Sequence, residues 1–264
     1  VAKVLIGVPM AGGNISAHTA HSIITPIASR NHDITFNLVG LSLLARNFNT
    51  LFLSAHHSGC DYFVLHHADL GFNVDPNNYS GSWIDVLIER VKQLKAAAMS
   101  VVSPIKSPAG HTSTGLILDR NNVYKLRRIT VRELDKLPTP FISRKHVCDL
   151  FNVSPKKAGA LLINTGGLIM DLKNFDWTKW PGFCIYDSIA WNKKKRGRVY
   201  TRPEDWEMSN WMFENDFPYY ATKELAAHHV GAHDYTNFGG WGNPFDDQER
   251  EPSIEEWESG DREQ

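Results

Sequence analysis

Short apolar runs alternate with stretches of helical spacing through the first hundred residues, and this alternation is the strongest structural signal in the chain. Val4 to Pro9 reads as a buried strand, Gly12-Gly13 as a loop, and Asn14 or Ser16 as the cap of a helix running to about Ser29. Ile34 to Leu41 alternates like a second strand. Leu43, Leu44, Phe48, Leu51, Phe52 and Ala55 recur at helical spacing. From Tyr62 a short apolar strand, bounded by Gly59 and Gly71, runs straight into His67 and Asp69 at its end; Trp83 to Ala98 reads as a helix, and Ser100 to Ile105 as a fourth strand. The pattern predicts an α/β fold: a mixed, mostly parallel sheet with helices on both faces.

After about residue 106 the pattern changes. Residues 111–132 read as a hairpin turning at Asp119-Arg120-Asn121-Asn122, and Val131 to Leu137 as a short helix. Ala160 to Leu172 is apolar around Asn164-Thr165-Gly166-Gly167. Pro203 to Asn215 reads as a helix with Pro203 at its start and Glu204 and Asp205 in its first turn. We expect one domain over residues 1–244, with 1–106 as a nucleotide-binding half, 107–244 as a smaller antiparallel acceptor-side half, and 245–264 as a mobile acidic tail.

Composition adds little to the fold but shapes the expected surroundings. Hydrophobic residues make up 42% of 264 and charged residues 22%, which suits a folded core. Net charge is −1, yet the segment from Asp246 to Gln264 holds nine acidic residues against Arg250 and Arg262. A tail at −7 leaves about +6 on the rest of the chain. Cys60, Cys148 and Cys184 show neither zinc spacing nor a disulfide framework. No apolar run reaches membrane-spanning length and no signal peptide is read at the start, so the expectation is a cytoplasmic protein with no membrane partner.

Five groups of residues carry candidate chemistry. His67-Ala68-Asp69 stands at the end of a predicted buried strand, where ligands bind in helix-covered sheets. A histidine and a carboxylate there can hold a divalent cation, manganese suiting the softer imidazole better than magnesium. Arg46 offers a planar cation to phosphate, or is a surface residue of an amphipathic helix. Glu204 and Asp205 complement a helix N-terminus, or one of them is a general base. His228-His229-Val230-Gly231-Ala232-His233 can complete a metal site begun at His67 and Asp69. Adjacent strand residues face opposite ways, so one histidine of each pair serves a given site. The run Lys193, Lys194, Lys195, Arg196 and Arg198, flanked by Trp191 and Tyr200, is a solvated loop or a contact to double-stranded DNA.

In this order, Gly7-Val8-Pro9, Leu44-Ala45-Arg46-Asn47, His67-Ala68-Asp69-Leu70-Gly71-Phe72, Val102-Ser103-Pro104-Ile105-Lys106, Asn164-Thr165-Gly166-Gly167, Pro203-Glu204-Asp205-Trp206 and His229-Val230-Gly231 resemble the nucleotide-sugar glycosyltransferases of the GT-A fold. The likeness is to the small enzymes of bacteriophage and bacterial genomes, over roughly residues 3 to 242. It implies that Val8 and Pro9 line the base and ribose pocket. Arg46 and Asn49 would reach the donor, and Gly166 and Gly167 would let backbone approach its sugar. Asp69 and His229 would bind the metal, manganese or magnesium, and the donor would be a UDP-sugar. Glu204 and Asp205 would face sugar and acceptor, Asp205 as base of an inverting reaction. His67 departs from the family's Asp-x-Asp, which puts its role as metal or donor ligand in question. The implied acceptor is a hydroxymethylated pyrimidine of phage DNA, or a protein or surface glycan. Other readings are a decayed nucleotide- or DNA-binding protein and a zinc hydrolase built on His67, Asp69 and His229.

Overall fold

The computed structural model describes residues 1–10, 14–74, 81–231 and 234–241. The first half contains β1 (Lys3–Pro9), α1 (Ala17–Ser29), β2 (Asp33–Val39), α2 (Leu44–His57), β3 (Tyr62–His66), β4 (Leu70–Asn73), α3 (Trp83–Leu94) and β5 (Ala98–Val101). It continues with β6 (His111–Asp119), β7 (Asn122–Thr130), α4 (Val131–Leu134), α5 (Arg144–Phe151), β8 (Leu161–Leu162) and β9 (Gly167–Asp171). The last elements are β10 (Tyr186–Trp191), β11 (Gly197–Arg202), α6 (Glu204–Glu214), β12 (Tyr219–Thr222), β13 (Ala226–Val230) and β14 (Asp234–Thr236).

Six strands form the central sheet in the order β12-β5-β9-β3-β1-β2. Only β9 runs against its neighbours, so the sheet is mixed and mostly parallel. Alternate residues of each strand feed opposite layers. Val4, Ile6 and Val8 of β1, Tyr62 and Val64 of β3, and Ile169 of β9 pack with Ile23 of α1 and Trp83 and Leu87 of α3. Leu5, Phe63, Leu65, Leu168 and Met170 pack on the other side with Phe48 and Leu51 of α2, Val147 of α5 and Met212 of α6. Burial on both faces explains why these strands read as continuous apolar runs. Three small antiparallel sheets complete the α/β fold, β7-β6-β8, β10-β11 and β14-β13-β4. The sequence expectation for the fold class holds.

Several local expectations change. The Tyr62 strand ends at His66, just before His67 and Asp69 as expected, but a turn whose Leu70 N–H donates to the His67 carbonyl leads into a separate strand, β4, not read from the sequence. The Trp83 helix stops at Leu94, where Lys95 takes a left-handed conformation that frees Ala98 to start β5. Pro203 caps α6 and does not occupy its first turn. The basic run is a loop as expected, at the tip of the β10–β11 hairpin with Arg198 on β11, and the Asn192 side chain holds it by accepting from the N–H groups of Lys194 and Arg196. Helix α5, capped by Ser143, and strands β12, β13 and β14 carry signals too short to read from periodicity. The tail from 245 to 264 and His233 lie outside the described residues.

Gly167 shows how tightly the layers meet. A Cβ there would stand 2.3 Å from the Phe72 ring. Gly167→Ala should therefore cost about 1–3 kcal/mol through forced repacking. Urea unfolding reads this as a lowered midpoint; an unchanged midpoint would show that the Phe72 ring yields freely.

Candidate active site

The sheet positions a cleft at its C-terminal edge. The chain leaves β1 for β2 on one side and places β3 on the other, so the topological switch point lies between the ends of β1 and β3. A cavity of about 340 Å³ opens there. Pro9 and Met10 after β1, Leu41 and Ser42 after β2, Asn47 of α2, and His67, Ala68 and Asp69 after β3 line it.

The turn carrying Asp69 is pinned from several directions. From α1, the Ser16 N–H and the Thr19 hydroxyl both donate to the Ala68 carbonyl, at 2.9 and 2.8 Å, and the hydroxyl also reaches the Leu70 carbonyl at 2.6 Å. The His67 N–H donates to the Gly166 carbonyl, and the Val230 N–H of β13 donates to the Asp69 carbonyl. Strand β13 is itself anchored by buried Asn237, which accepts from the Ala227 N–H and donates to the carbonyls of Val102 and Leu225.

The Asp69 carboxylate meets two basic groups. Lys106 Nζ lies 2.5 Å from Oδ2, and His229 Nε2 lies 3.3 Å from the same oxygen. Burial alone would raise the Asp69 pKa, but hydrogen bonds from His229 and Lys106 and their charges hold it well below the usual carboxylate range. His229 Nδ1 is 2.7 Å from the Pro104 carbonyl. A carbonyl only accepts, so Nδ1 carries a proton; Nε2 then either donates a second proton to Asp69 or turns its lone pair toward it. Two lone pairs face each other stably only with a proton or a cation between them. With metal bonds near 2.1 Å, adjacent ligand atoms stand about 3.0–3.4 Å apart, and the 3.3 Å separation fits that spacing. The Nδ1–H to carbonyl contact is the outer-shell support that metal-ligating histidines commonly have.

A second polar chain joins this pair. Thr165 Oγ1 donates to Glu204 Oε1 at 3.2 Å and lies 3.4 Å from His67 Nε2. A hydroxyl has one proton, so the His67 Nε2–H donates in turn. Burial pushes the His67 pKa down to about 4, with Asp69 opposing and the charges of His229 and Lys106 assisting, so the ring is neutral. Burial also raises the Glu204 carboxyl against the Thr165 hydrogen bond.

The predicted residues thus divide. Pro9, His67 and Asp69 line the cavity, His229 joins Asp69, and Glu204 joins His67 through Thr165. His67 makes no described hydrogen bond to Asp69 or His229; their charges bear on its titration. Val8 is a core residue of the α1–α3 layer. Arg46 is exposed on α2, and the cavity takes its neighbour Asn47. Asn49 commits its amide to Phe183, accepting from the N–H and donating to the carbonyl, which makes it a strut for that loop. Gly166 and Gly167 make room for Leu70 and Phe72 of this chain, a packing need where the resemblance implies a sugar. Asp205 lies next to Glu204, its Oδ1 accepting from the Trp206 N–H. Lys193, Lys194, Lys195, Arg196 and Arg198 stand on the hairpin whose second strand runs directly into α6. Thr165 and Lys106 do not stand out individually in the sequence, although both lie inside segments with motif character; their roles depend on contacts across 39 and 37 residues.

Asp205 generates a pH prediction. Burial first, then the charge of Glu204, pushes its carboxyl up to about 7 against the opposing Arg128. The folded chain therefore favours the protonated acid. Its contribution is full below the ordinary value of 3.8 and is lost as pH rises to about 7. Asp205→Asn should match the wild type at pH 4 and surpass it at pH 8, the gap growing by at most about 1.4 kcal/mol per pH unit. Urea midpoints across that range check it; a gap that does not widen with pH would remove the shifted carboxyl.

No protein-family model and no curated protein matches the chain. Among solved structures it is similar to A197 from STIV, with 13% identity and a TM-score of 0.43 over 87% of this chain and 86% of that one. It is also similar to a putative glucose-1-phosphate thymidylyltransferase from Bacillus anthracis in complex with a sucrose, with 12% identity and a TM-score of 0.39 over 88% of this chain and 91% of that one. At these levels the resemblances add no functional argument.

Proposed function

We propose that the chain is a metal-dependent glycosyltransferase of the GT-A type that moves a sugar from a nucleotide-sugar, a UDP-sugar by preference, to a hydroxyl acceptor. The observation that carries this reading is the Asp69–His229 pair, with His229 Nε2 aimed at the carboxylate, at the rim of a cavity over the switch point of the sheet. Asp69 and His229 would hold manganese or magnesium, which when bound neutralises charge on a departing diphosphate. Lys106 adds a second positive charge at the same place. Pro9, Leu41 and Asn47 supply walls for the nucleoside. Thr165 orients Glu204 toward the His67 side of the site, and Asp205, titrating near neutrality, is suited to take the acceptor proton.

One observation favours a second reading. Lys106 already reaches Asp69, so its ammonium can supply the positive charge without a metal. Incubation with a panel of UDP-sugars separates the two. Under the first reading EDTA abolishes donor turnover, manganese restores it, and Asp69→Ala lowers it on the order of 100-fold or more without unfolding the chain. Turnover that survives EDTA but disappears in Lys106→Met supports the second. Normal turnover in Asp69→Ala sinks both.

The acceptor we favour is double-stranded DNA carrying hydroxymethylated pyrimidines. The β10–β11 hairpin supports it, because it bears the basic tip, exposes Trp191 and Ile189, and leads straight to Glu204 and Asp205. Replacing Lys193, Lys194, Lys195 and Arg196 by Ser should weaken DNA binding. It should also flatten the dependence on salt by about one slope unit for each phosphate that is no longer neutralised. An unchanged slope in a filter-binding titration turns the acceptor question toward protein or glycan.

A further inference from the structure

Strand β13 sends its neighbouring histidines to opposite faces. His229 faces Asp69 and Pro104, whereas His228 faces the first turn of α1. There the His18 ring stacks on His228, with centroids 4.8 Å apart and planes 5° from parallel. Across the β13–β14 hairpin, His228 Nδ1 lies 2.9 Å from Asp234 Oδ2. One ligand atom from each of His18, His228 and Asp234 falls within 4.8 Å of the other two.

The backbone is shaped around this cluster. Gly71 of β4 pairs in register with His228. A Cβ at Gly71 would stand 2.5 Å from the His18 Cβ, so the bare glycine is what lets α1 bring His18 alongside His228. Two imidazoles and a carboxylate are a donor set for a borderline cation such as zinc, and three protein ligands leave a position for water.

We propose that His18, His228 and Asp234 form a second cation site, for zinc or a similar divalent transition metal, separate from Asp69 and His229. Its role is structural. It staples the start of α1, which holds the Ala68 carbonyl, to the hairpin that carries His229. Adjacent ligands of zinc stand about 3.3 Å apart, so the cluster closes by a rotation of one ring. His18 is exposed and is the ring with room to turn. The α1 dipole disfavours a cation at this end, and the Asp234 charge offsets it.

Zinc alone is the probe, and the Asp69→Ala chain removes the first site from the count. That chain, stripped with EDTA and dialysed against micromolar zinc chloride, should retain one equivalent by mass spectrometry of the metal. Adding His18→Ala should lower its zinc affinity more than about 100-fold, beyond the range typical of losing an outer-shell partner. Asp234→Asn should weaken it as well, with far-UV circular dichroism confirming the fold of each variant. Failure of the Asp69→Ala chain to bind zinc, or binding undiminished by His18→Ala, overturns the proposal. Neither result depends on glycosyl transfer, so failure of that activity reading leaves this one standing.

Discussion

Everything at the site depends on the placement of one four-residue turn, His67 to Leu70. Its carbonyls and N–H groups are taken up by three separate parts of the chain: the first turn of α1, the Gly166 backbone and Val230 of β13. A turn alone is a weak constraint, since its own hydrogen bond is the single 3.2 Å contact from Leu70 to His67. Fixing it from outside determines where Asp69 points. The pinning groups are themselves anchored, α1 by its Ser16 cap and β13 by Asn237, so the carboxylate inherits the rigidity of the central sheet.

The electrostatics follow from that placement. Asp69 is ionised because Lys106 and His229 outweigh the cost of its partial burial. His67, two residues earlier, is neutral because burial dominates and the nearby positive charges assist. Glu204 and Asp205 are pushed the other way, upward, by burial, and for Asp205 by Glu204 as well. The site therefore separates an anionic end, at Asp69, from an end where burial pushes the carboxyls upward, Asp205 to about 7. Such a divergence among neighbouring groups is what paired acid–base and charge-stabilising roles require.

Much of this is legible in the chain. The strands β1 and β3 and the helices α1 and α2 follow from periodicity, because each has enough residues to show a pattern and a buried face to enforce it. The opposite facing of His66 and His67 also follows: His66 packs against Phe72 and Trp83, His67 against Phe48. What is hidden is hidden for a physical reason. Strand β12 exists by pairing with β5, more than a hundred residues away, and a four-residue segment carries no period of its own. Asn49 looks like a ligand-facing amide until Phe183, 134 residues on, is known to occupy it. Gly166 and Gly167 invite a ligand because nothing local explains them; their true neighbours are side chains on β4.

Histidine at position 67 then has a physical reason. Its side chain lies beside Phe48 and ends at the hydroxyl of Thr165, whose other contact is Glu204, itself only 7% exposed. A carboxylate at 67 would compete with Glu204 for the single Thr165 proton and set a second negative charge in a partly buried space. Two such acids cannot both ionise at low cost. A neutral imidazole donates where the hydroxyl needs a donor and leaves Glu204 its acceptor role. Histidine at 67 is thus consistent with a site whose one firmly ionised carboxylate is Asp69, served by a lysine and a second histidine arriving from Lys106 and His229.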